Sequence, residues 1–484
     1  MSSAVERLFA RDASLWTSSG EDAWLGWIDA IGDAVAGRDE LLAWARPLGD
    51  SFARIVLCGM GGSSLAPLVI GELNDADRLV VVDSTDPAAI RKVLIDGSLF
   101  VIASKSGSTM EPNCFADAFW GATGGDGSRF VAITDPGSAL EARATQDGWA
   151  KIAHGRADVG GRYSAMSAFG LVPSALAGVD VSTLIASAAA MLEACRADNG
   201  PGAVLADFIA DAYGAGRDKL TIITSPGLET VGLWLEQLVA ESTGKQGVGV
   251  LPVAGEPIAA PERYGNDRVF VHLRLDSTHD AATAALHGAG HPVLTIPFLP
   301  QELGGLFVQW EVATALVGAR LGINPFDQPN VQAAKDLAVK LLDDFVATGR
   351  LPDVDAGSLE SVLAAIVPGK SYLCLQAFVD PTDERADLLS ELQGTLRDRY
   401  GCAVTAGFGP RYLHSTGQLH KGGPPTGVFV QLLAADEDDE PIPGRQFGFR
   451  TLRDAQAIGD CQALRDHDLP VARIPFAAAE RLLG

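Results

Sequence analysis

Short β-branched runs that alternate with helical stretches constrain this chain more than any other feature. Between about residues 51 and 180 such runs fall at 54–58, 79–83, 99–103 and 129–134. Strands and helices in that rhythm close as a parallel sheet covered by helices. A second unit follows a helical stretch around 181–215, with strands at 220–223, 268–271 and 293–296 and helices at 229–241, 280–288 and 309–320. A further helix is expected to start at Pro329, a good first helical residue, and to run through Lys335. Residues 359–484 form a third αβ unit, with strands at 371–375 and 428–432 around a helix at 384–398. The expectation is therefore an α/β chain with a helical segment over 1–50, α/β domains over 51–200 and 201–350, a Pro/Asp/Gly-rich linker at 351–358, and a C-terminal αβ domain. In the first segment Ser18-x-x-Glu21 reads as a capping box, and Trp24, Leu25, Trp27 and Ile28 are spaced for one buried face. The acidic stretch 436–440 reads as a solvated loop.

Two of the strands end in loops of glycine and hydroxyl residues. The run 54–58 leads into Gly59-Met60-Gly61-Gly62-Ser63-Ser64, and 99–103 leads into Ser104-Lys105-Ser106-Gly107-Ser108-Thr109. A strand that ends in small residues and feeds a helix leaves backbone N–H groups directed at an anion. Two such loops, one βα unit apart, imply a pocket for a phosphoryl group. Gly59-x-Gly61-Gly62 followed by Asp83 also imitates a dinucleotide site, but Ser64 stands where the third glycine of that fingerprint belongs.

Charge and composition narrow the function. The formal charge of −24 over 484 residues argues against nucleic acid, which calls for a basic face. An anionic substrate must then be met locally, by helix N-termini and by placed cations such as Lys105, Arg162 and Lys335. No apolar run approaches the roughly 20 residues that span a bilayer, and the N-terminus has no signal-peptide pattern. Six scattered cysteines without paired spacing read as a reduced, cytoplasmic chain. None of the eight histidines sits in a two-His metal pattern, so no metal is expected, and with Ser64 breaking the dinucleotide fingerprint no organic cofactor is expected either.

Several other residues carry chemical potential. Gln237 and Glu241 lie four apart on one helix face, with Glu241 at the helix end before Ser242-Thr243-Gly244-Lys245. A carboxylate at the negative pole of a helix is unfavourably placed, which suits a general base as well as a solvated surface residue. In Gly160-Gly161-Arg162-Tyr163-Ser164 two glycines permit close backbone approach beside a fixed cation, or make an ordinary turn. Gln328 and Lys335, seven apart, are expected on one face of the helix start. His414 and His420 fall in the segment 412–423, where either a chemical or a structural role is open.

Taken together these segments resemble the phosphoglucose isomerase family, whose members pair two sugar-isomerase (SIS) domains of flavodoxin-like topology. Gly61-Gly62-Ser63 resembles the first phosphate-loop segment, and Ser104 through Thr109 the Ser-Lys-[ST]-x-[ST]-Thr loop. Gly160-Gly161-Arg162, Gln237-x-x-x-Glu241-Ser-x-Gly-Lys, and Phe326-Asp327-Gln328 with Lys335 match three further motifs in order. The whole chain is similar to the isomerase half of bifunctional transaldolase/phosphoglucose isomerase proteins, through 11–16, 324–332 and 413–423. The transaldolase half is not expected here, because residue 1 already begins the isomerase-like portion.

The resemblance implies interconversion of glucose 6-phosphate and fructose 6-phosphate in glycolysis and gluconeogenesis. Gly62, Ser63, Ser104, Lys105, Ser106 and Thr109 would hold the phosphate, and Gly161, Gln237 and Gln328 the sugar. His414 with Lys335 would open the ring, Glu241 would carry the proton between C2 and C1 through a cis-enediolate, and Arg162 would stabilise the oxyanion. A homodimer is the family habit. One departure stands out: the family's histidine lies between its glutamate and its lysine, whereas the Leu413-His414-Ser415-x-Gly417-Gln418 segment follows Lys335. His420 therefore stays a candidate. Two other readings remain at this point: a non-catalytic sugar-phosphate regulator, and an isomerase of another aldose phosphate such as mannose 6-phosphate.

Overall fold

The computed structural model describes residues 3–435 and 438–484. Its strands form three parallel sheets. The first comprises β1 (Arg54–Cys58), β2 (Leu79–Val82), β3 (Ser98–Ala103), β4 (Phe130–Thr134) and β5 (Lys151–His154), in the order β2-β1-β3-β4-β5. The second comprises β6 (Lys219–Thr224), β7 (Leu251–Val253), β8 (Arg268–Arg274) and β9 (Val293–Pro297), ordered β7-β6-β8-β9. The third comprises β10 (Tyr372–Phe378), β11 (Ala403–Phe408), β12 (Gly427–Leu433) and β13 (Val471–Pro475), ordered β11-β10-β12-β13. All three wind the same way, with the second strand of each unit outside the first and the third beside it. In that flavodoxin-like winding the switch point lies between the first and third strands, where loops diverge and leave a crevice.

Sheet one is the middle layer, and its strands show why. Ile55, Leu57, Leu99, Val101, Val131 and Ile133 face a core continuous with Leu220, Val269 and Trp310 of the second unit. The alternate residues Val56, Phe100, Ile102 and Phe130 face the helix Met110–Ala122 and, beyond it, Phe449, Leu452 and Ala455 of the third domain. With a side-chain period of two, a strand covered on both faces must be apolar throughout, as the central β3 (Ser-Leu-Phe-Val-Ile-Ala) nearly is. Phe115 stacks on Phe449 at 5.9 Å across this junction.

Buried polar pairs fix how the third domain sits. Arg453, on the helix Phe449–Asp466, meets Asp86 at 2.7 Å, both side chains 2% exposed. Arg411 grips Asp83 through two bonds of 2.7 and 2.9 Å, and Thr85 donates to Gln456 at 2.8 Å. The helix Gln332–Thr348 packs on Phe449–Asp466, so the segment bearing Lys335 is docked on the same domain.

Four expectations need correction. Ser18 does not cap a helix: its φ is +58°, and Glu21 instead accepts the Thr17 and Ser19 N–H groups; the capping box lies at Ser3 and Glu6. The last helix of the second unit begins at Gln332, not Pro329, because the Asn330 N–H is drawn to Gln418 Oε1 at 2.8 Å. Gln328 thus precedes the helix and does not share a face with Lys335. In the acidic stretch, Asp439 is no idle loop residue: it accepts the Arg450 N–H at 2.6 Å and the Thr451 hydroxyl at 2.8 Å, at the start of the last long helix. Residues 436 and 437 lie outside the described residues.

Breaking a buried ion pair from one side leaves a charge without compensation, at a cost of about 3–5 kcal/mol. Arg453→Met is therefore expected to destabilise the chain by that amount. Urea unfolding followed by Trp fluorescence checks this, and an unchanged midpoint would refute the anchoring role of the pair.

Candidate active site

The two glycine/hydroxyl loops leave the carboxyl ends of β1 and β3, which pair directly, so both open at the switch point of sheet one. Gly61 and Gly62 are there for space. Gly61 has φ +54°, and a Cβ on it would lie 2.6 Å from the His414 carbonyl oxygen and 2.7 Å from Gln237 Nε2. A Cβ on Gly62 would lie 2.0 Å from the Gly161 carbonyl oxygen. Three segments distant in sequence thus converge on two residues without side chains.

In the second loop Ser104 is buried and its hydroxyl donates to Thr109 Oγ1 at 3.2 Å, while the Ser106 and Ser108 hydroxyls pair at 2.8 Å. Thr109 precedes the helix Met110–Ala122 without capping it through its side chain, which leaves first-turn N–H groups uncapped at the loop. The Lys105 amine turns elsewhere: it is ion-paired with Asp135, donates to the Ala157 carbonyl at 3.2 Å and lies 5.9 Å from the Trp24 ring.

Arg162, 2% exposed, is fixed by four hydrogen bonds: to Ser242 Oγ (2.7 Å), Gln328 Oε1 (2.8 Å), and the Pro325 (2.6 Å) and Asp327 (2.9 Å) carbonyls. Its guanidinium stands 3.6 Å from Glu241 Oε1. Glu241 lies in the last turn of the helix Glu229–Thr243, and its other oxygen accepts from Gln237 Nε2 at 3.1 Å. The same Gln237 nitrogen donates to the His414 carbonyl at 2.8 Å. Lys245 braces this corner through the Asn324 and Asp327 carbonyls, both at 2.5 Å, and the Asp327 carboxylate at 2.8 Å. Burial and the neighbouring Arg162 push its ammonium down to about 7.

His414 ends a short helical turn, Arg411–His414, that leaves β11. Its Nε2 meets Glu111 Oε1 at 2.9 Å, and Gln456 Nε2 donates to the same oxygen at 2.7 Å. Burial pushes the Glu111 carboxyl up, but the charge and hydrogen bond of His414 outweigh it and hold the group below its ordinary value. A carboxylate on Nε2 keeps the proton on that nitrogen and leaves Nδ1 as the basic one. Glu111 escaped the reading of the sequence. Its signal was its place, two residues past the hydroxyl loop in the first turn of a helix.

His414, Glu111 and Lys335 line one cavity of about 380 Å³ with Ser106, Ser108 and Thr109. Ser63, Lys105 and Gly161 line a small hollow of about 10 Å³, and Gly62 touches Gly161. Glu241, Gln237, Arg162 and Gln328 form a hydrogen-bonded cluster that reaches His414 through its carbonyl. His420 is separate from this set. It is 2% exposed, bonded to the Tyr372 hydroxyl at 2.8 Å, and pushed down to about 3 by burial. Among the described residues no group of three or more His, Cys, Asp or Glu could hold a metal ion, and no helix is long and apolar enough to cross a membrane.

Overpacking of the Gly62–Gly161 contact costs about 1–3 kcal/mol. Gly62→Ala is expected to lower stability by that amount and to weaken inorganic phosphate binding, measured by calorimetric titration. Unchanged melting and titration would show that the contact does not shape the loop.

The family profile for phosphoglucose isomerase matches residues 40–251. A glucose-6-phosphate isomerase of Prochlorococcus marinus is 31% identical over 379 residues, covering 66% of this chain and 68% of that protein. One from Synechococcus is 30% identical over 357 residues, covering 61% and 66%. The chain thus spans about two thirds of the length of these relatives. A hypothetical protein from Thermus thermophilus, solved by crystallography, is 25% identical with a TM-score of 0.61, over 70% of this chain and 93% of that one. A glucose-6-phosphate isomerase structure from Chlamydia trachomatis, 20% identical, shares the fold with a TM-score of 0.53 over 71% and 78% of the two chains. By these sequence relationships the chain belongs to the phosphoglucose isomerase family.

Proposed function

We propose that this chain is an aldose–ketose isomerase that interconverts glucose 6-phosphate and fructose 6-phosphate in glycolysis and gluconeogenesis. The observation that carries this reading is the convergence, through Gln237, of a carboxylate faced by a fixed guanidinium with a histidine that lines one cavity with the hydroxyl loop. Glu241 is held by Gln237 and faced by Arg162, while His414, oriented by Glu111, shares its cavity with Lys335 and the hydroxyl loop. A binding module needs the loops and has no use for the rest.

The resting sugar is a closed ring. His414 Nδ1, with Nε2 engaged by Glu111, is the basic nitrogen that takes the anomeric hydroxyl proton, and the Lys335 ammonium supplies a proton to the ring oxygen. Glu241 then removes the C2 proton and returns it to C1. The enediolate oxygen that gains charge is met by Arg162, whose four hydrogen bonds fix it before the reaction, so little reorganisation is needed. The phosphate rests on the hydroxyls of Ser63, Ser104, Ser106 and Thr109, beside Gly62 and the uncapped first turn of the helix Met110–Ala122, with Lys105 contributing charge rather than a direct contact. Gly161 and Gln328 act on the sugar through the backbone contact with Gly62 and the bond to Arg162. Binding energy from the remote phosphate is converted into orientation at the reacting carbons. A homodimer and a cytoplasmic setting belong to this reading; the latter is supported by six buried, unpaired thiols.

Glu241→Gln keeps the hydrogen bond from Gln237 sterically possible and removes the base. It is expected to lower turnover by about 10²–10⁴-fold with sugar-phosphate binding retained. A coupled assay for fructose 6-phosphate checks the rate, and near-normal turnover would remove Glu241 from this role. His414→Ala is expected to impair the cyclic substrate far more than an analogue that cannot close. Equal losses on both would separate His414 from ring opening.

A further inference from the structure

A second cavity, of about 390 Å³, lies between the helix Glu229–Thr243 and the third domain. It is walled by the neighbours of His414 rather than by His414: Tyr412, Ser415 and Thr416. The facing wall is Thr230, Leu233 and Glu236, from the helix whose next residues include Gln237 and Glu241. The mechanism above uses none of these side chains.

Glu236 is the anomaly. It is 7% exposed, yet among the described residues its one hydrogen bond is from the Ala254 N–H, at 3.3 Å, and it has no ion pair. A carboxyl group buried with a single long hydrogen bond and no ionic partner is costly. The Thr230 and Thr405 hydroxyls line the same space, where Thr230 neighbours Glu72 and Thr405 neighbours the Cys374 thiol. Leu65, Leu233, Leu389 and Phe408 make most of the remaining wall apolar. Arg411 is the cavity's basic residue, and Asp83 already neutralises it through two bonds. Glu229 and Asp387 add two exposed carboxylates to the lining.

We propose that this cavity is a second ligand site, taking a small molecule with an apolar body and one protonated amine that pairs with Glu236. Its volume is that of a drug-sized ligand pocket, and a few convergent polar groups on an apolar wall are the usual form of such sites. Sign decides the class. The two exposed carboxylates of Glu229 and Asp387, with the guanidinium of Arg411 already neutralised by Asp83, disfavour an anionic sugar phosphate, whereas an ammonium gives Glu236 an ionic partner.

The pairing has a protonic signature. Burial pushes the Glu236 carboxyl up to about 8, which favours its neutral form in the free protein. An ammonium beside it reverses that, and binding at pH 7 releases a proton to the buffer. The other titratable or charged groups lining the cavity are Glu229 on the same helix, Asp387 on the helix Asp383–Tyr400, Cys374 on β10, and Arg411 and Tyr412 beside His414. None of them hydrogen-bonds to Glu236 among the described residues. Because the walls belong to the helix of Glu241 and the segment of His414, amine and sugar phosphate are coupled reciprocally but not mutually exclusive.

The test is calorimetric titration of the full chain with phenethylamine at pH 7, in two buffers of different ionisation enthalpy. Saturable 1:1 binding is expected with a Kd on the order of 1 mM or tighter, with proton release. Glu236→Gln is expected to weaken it about tenfold or more and to abolish the buffer dependence. Ala406→Leu, which fills the space without touching the carboxyl, is expected to weaken it likewise and carries the test if Glu236→Gln fails to fold. Saturating fructose 6-phosphate should leave the amine bound. Absence of binding, binding unaltered in a folded variant, or competition by fructose 6-phosphate or inorganic phosphate would each overturn the proposal. The titration reads binding without turnover, so its outcome is independent of the isomerase assignment.

Discussion

The docking of the third domain on sheet one is the constraint on which the site depends. Three polar contacts set it: buried Arg453 with Asp86, half-buried Arg411 with Asp83, and buried Gln456 with both Thr85 and Glu111. Asp83, Thr85 and Asp86 lie just past the end of β2, so the carboxyl edge of sheet one that opens the two glycine/hydroxyl loops also holds the domain that brings His414. Such pairs gain little net stability over apolar packing, because desolvation offsets much of the attraction. What they supply is register: a guanidinium on a carboxylate allows one angle and one distance, whereas the apolar contact of Phe449 with Phe115 would tolerate sliding.

On the proposed reading, a chain with a formal charge of −24 has to create a positive hollow for an anion. It does so mostly without mobile side-chain charge. The hydroxyl loop offers hydroxyls and an uncapped helix start, while Lys105, the cation within it, is bound to Asp135. Arg162 and Lys245 are buried and turned on the carbonyls of Pro325, Asn324 and Asp327, so their first role is to set the 324–328 loop, and their field at Glu241 follows from that.

The central strands and both loops were legible because burial on two faces writes a continuous apolar run, and glycine with serine marks where it stops. β5, β7, β11 and β13 were not, and all four are sheet edges. An edge strand packs less and carries less signal: Lys151-Ile-Ala-His154 is half-buried to exposed, and β7 is three residues containing Pro252. The motifs fixed most of the side chains that converge, down to Gln237 and Glu241 on one helix face. Glu111 and the capping role of Asp439 were hidden for a different reason. Each is defined by a partner more than ten residues away, His414 and Gln456 in one case and Arg450 and Thr451 in the other, and no local pattern records such a partner.

The late position of His414 in the chain then ceases to be an obstacle. A site needs its groups in one place, and three sheets with the same winding can deliver them in any order, since each presents its loops at the carboxyl ends of its strands. On the proposed reading the grip on phosphate belongs to the first unit, the base to the second and the ring-opening histidine to the third. Gln237 joins the last two, with one amide nitrogen on Glu241 and on the His414 carbonyl. That shared donor makes the two proton carriers interdependent. A displacement of the His414 segment lengthens a bond that also orients the base, so the third domain acts on the C2 proton transfer as well as on the ring.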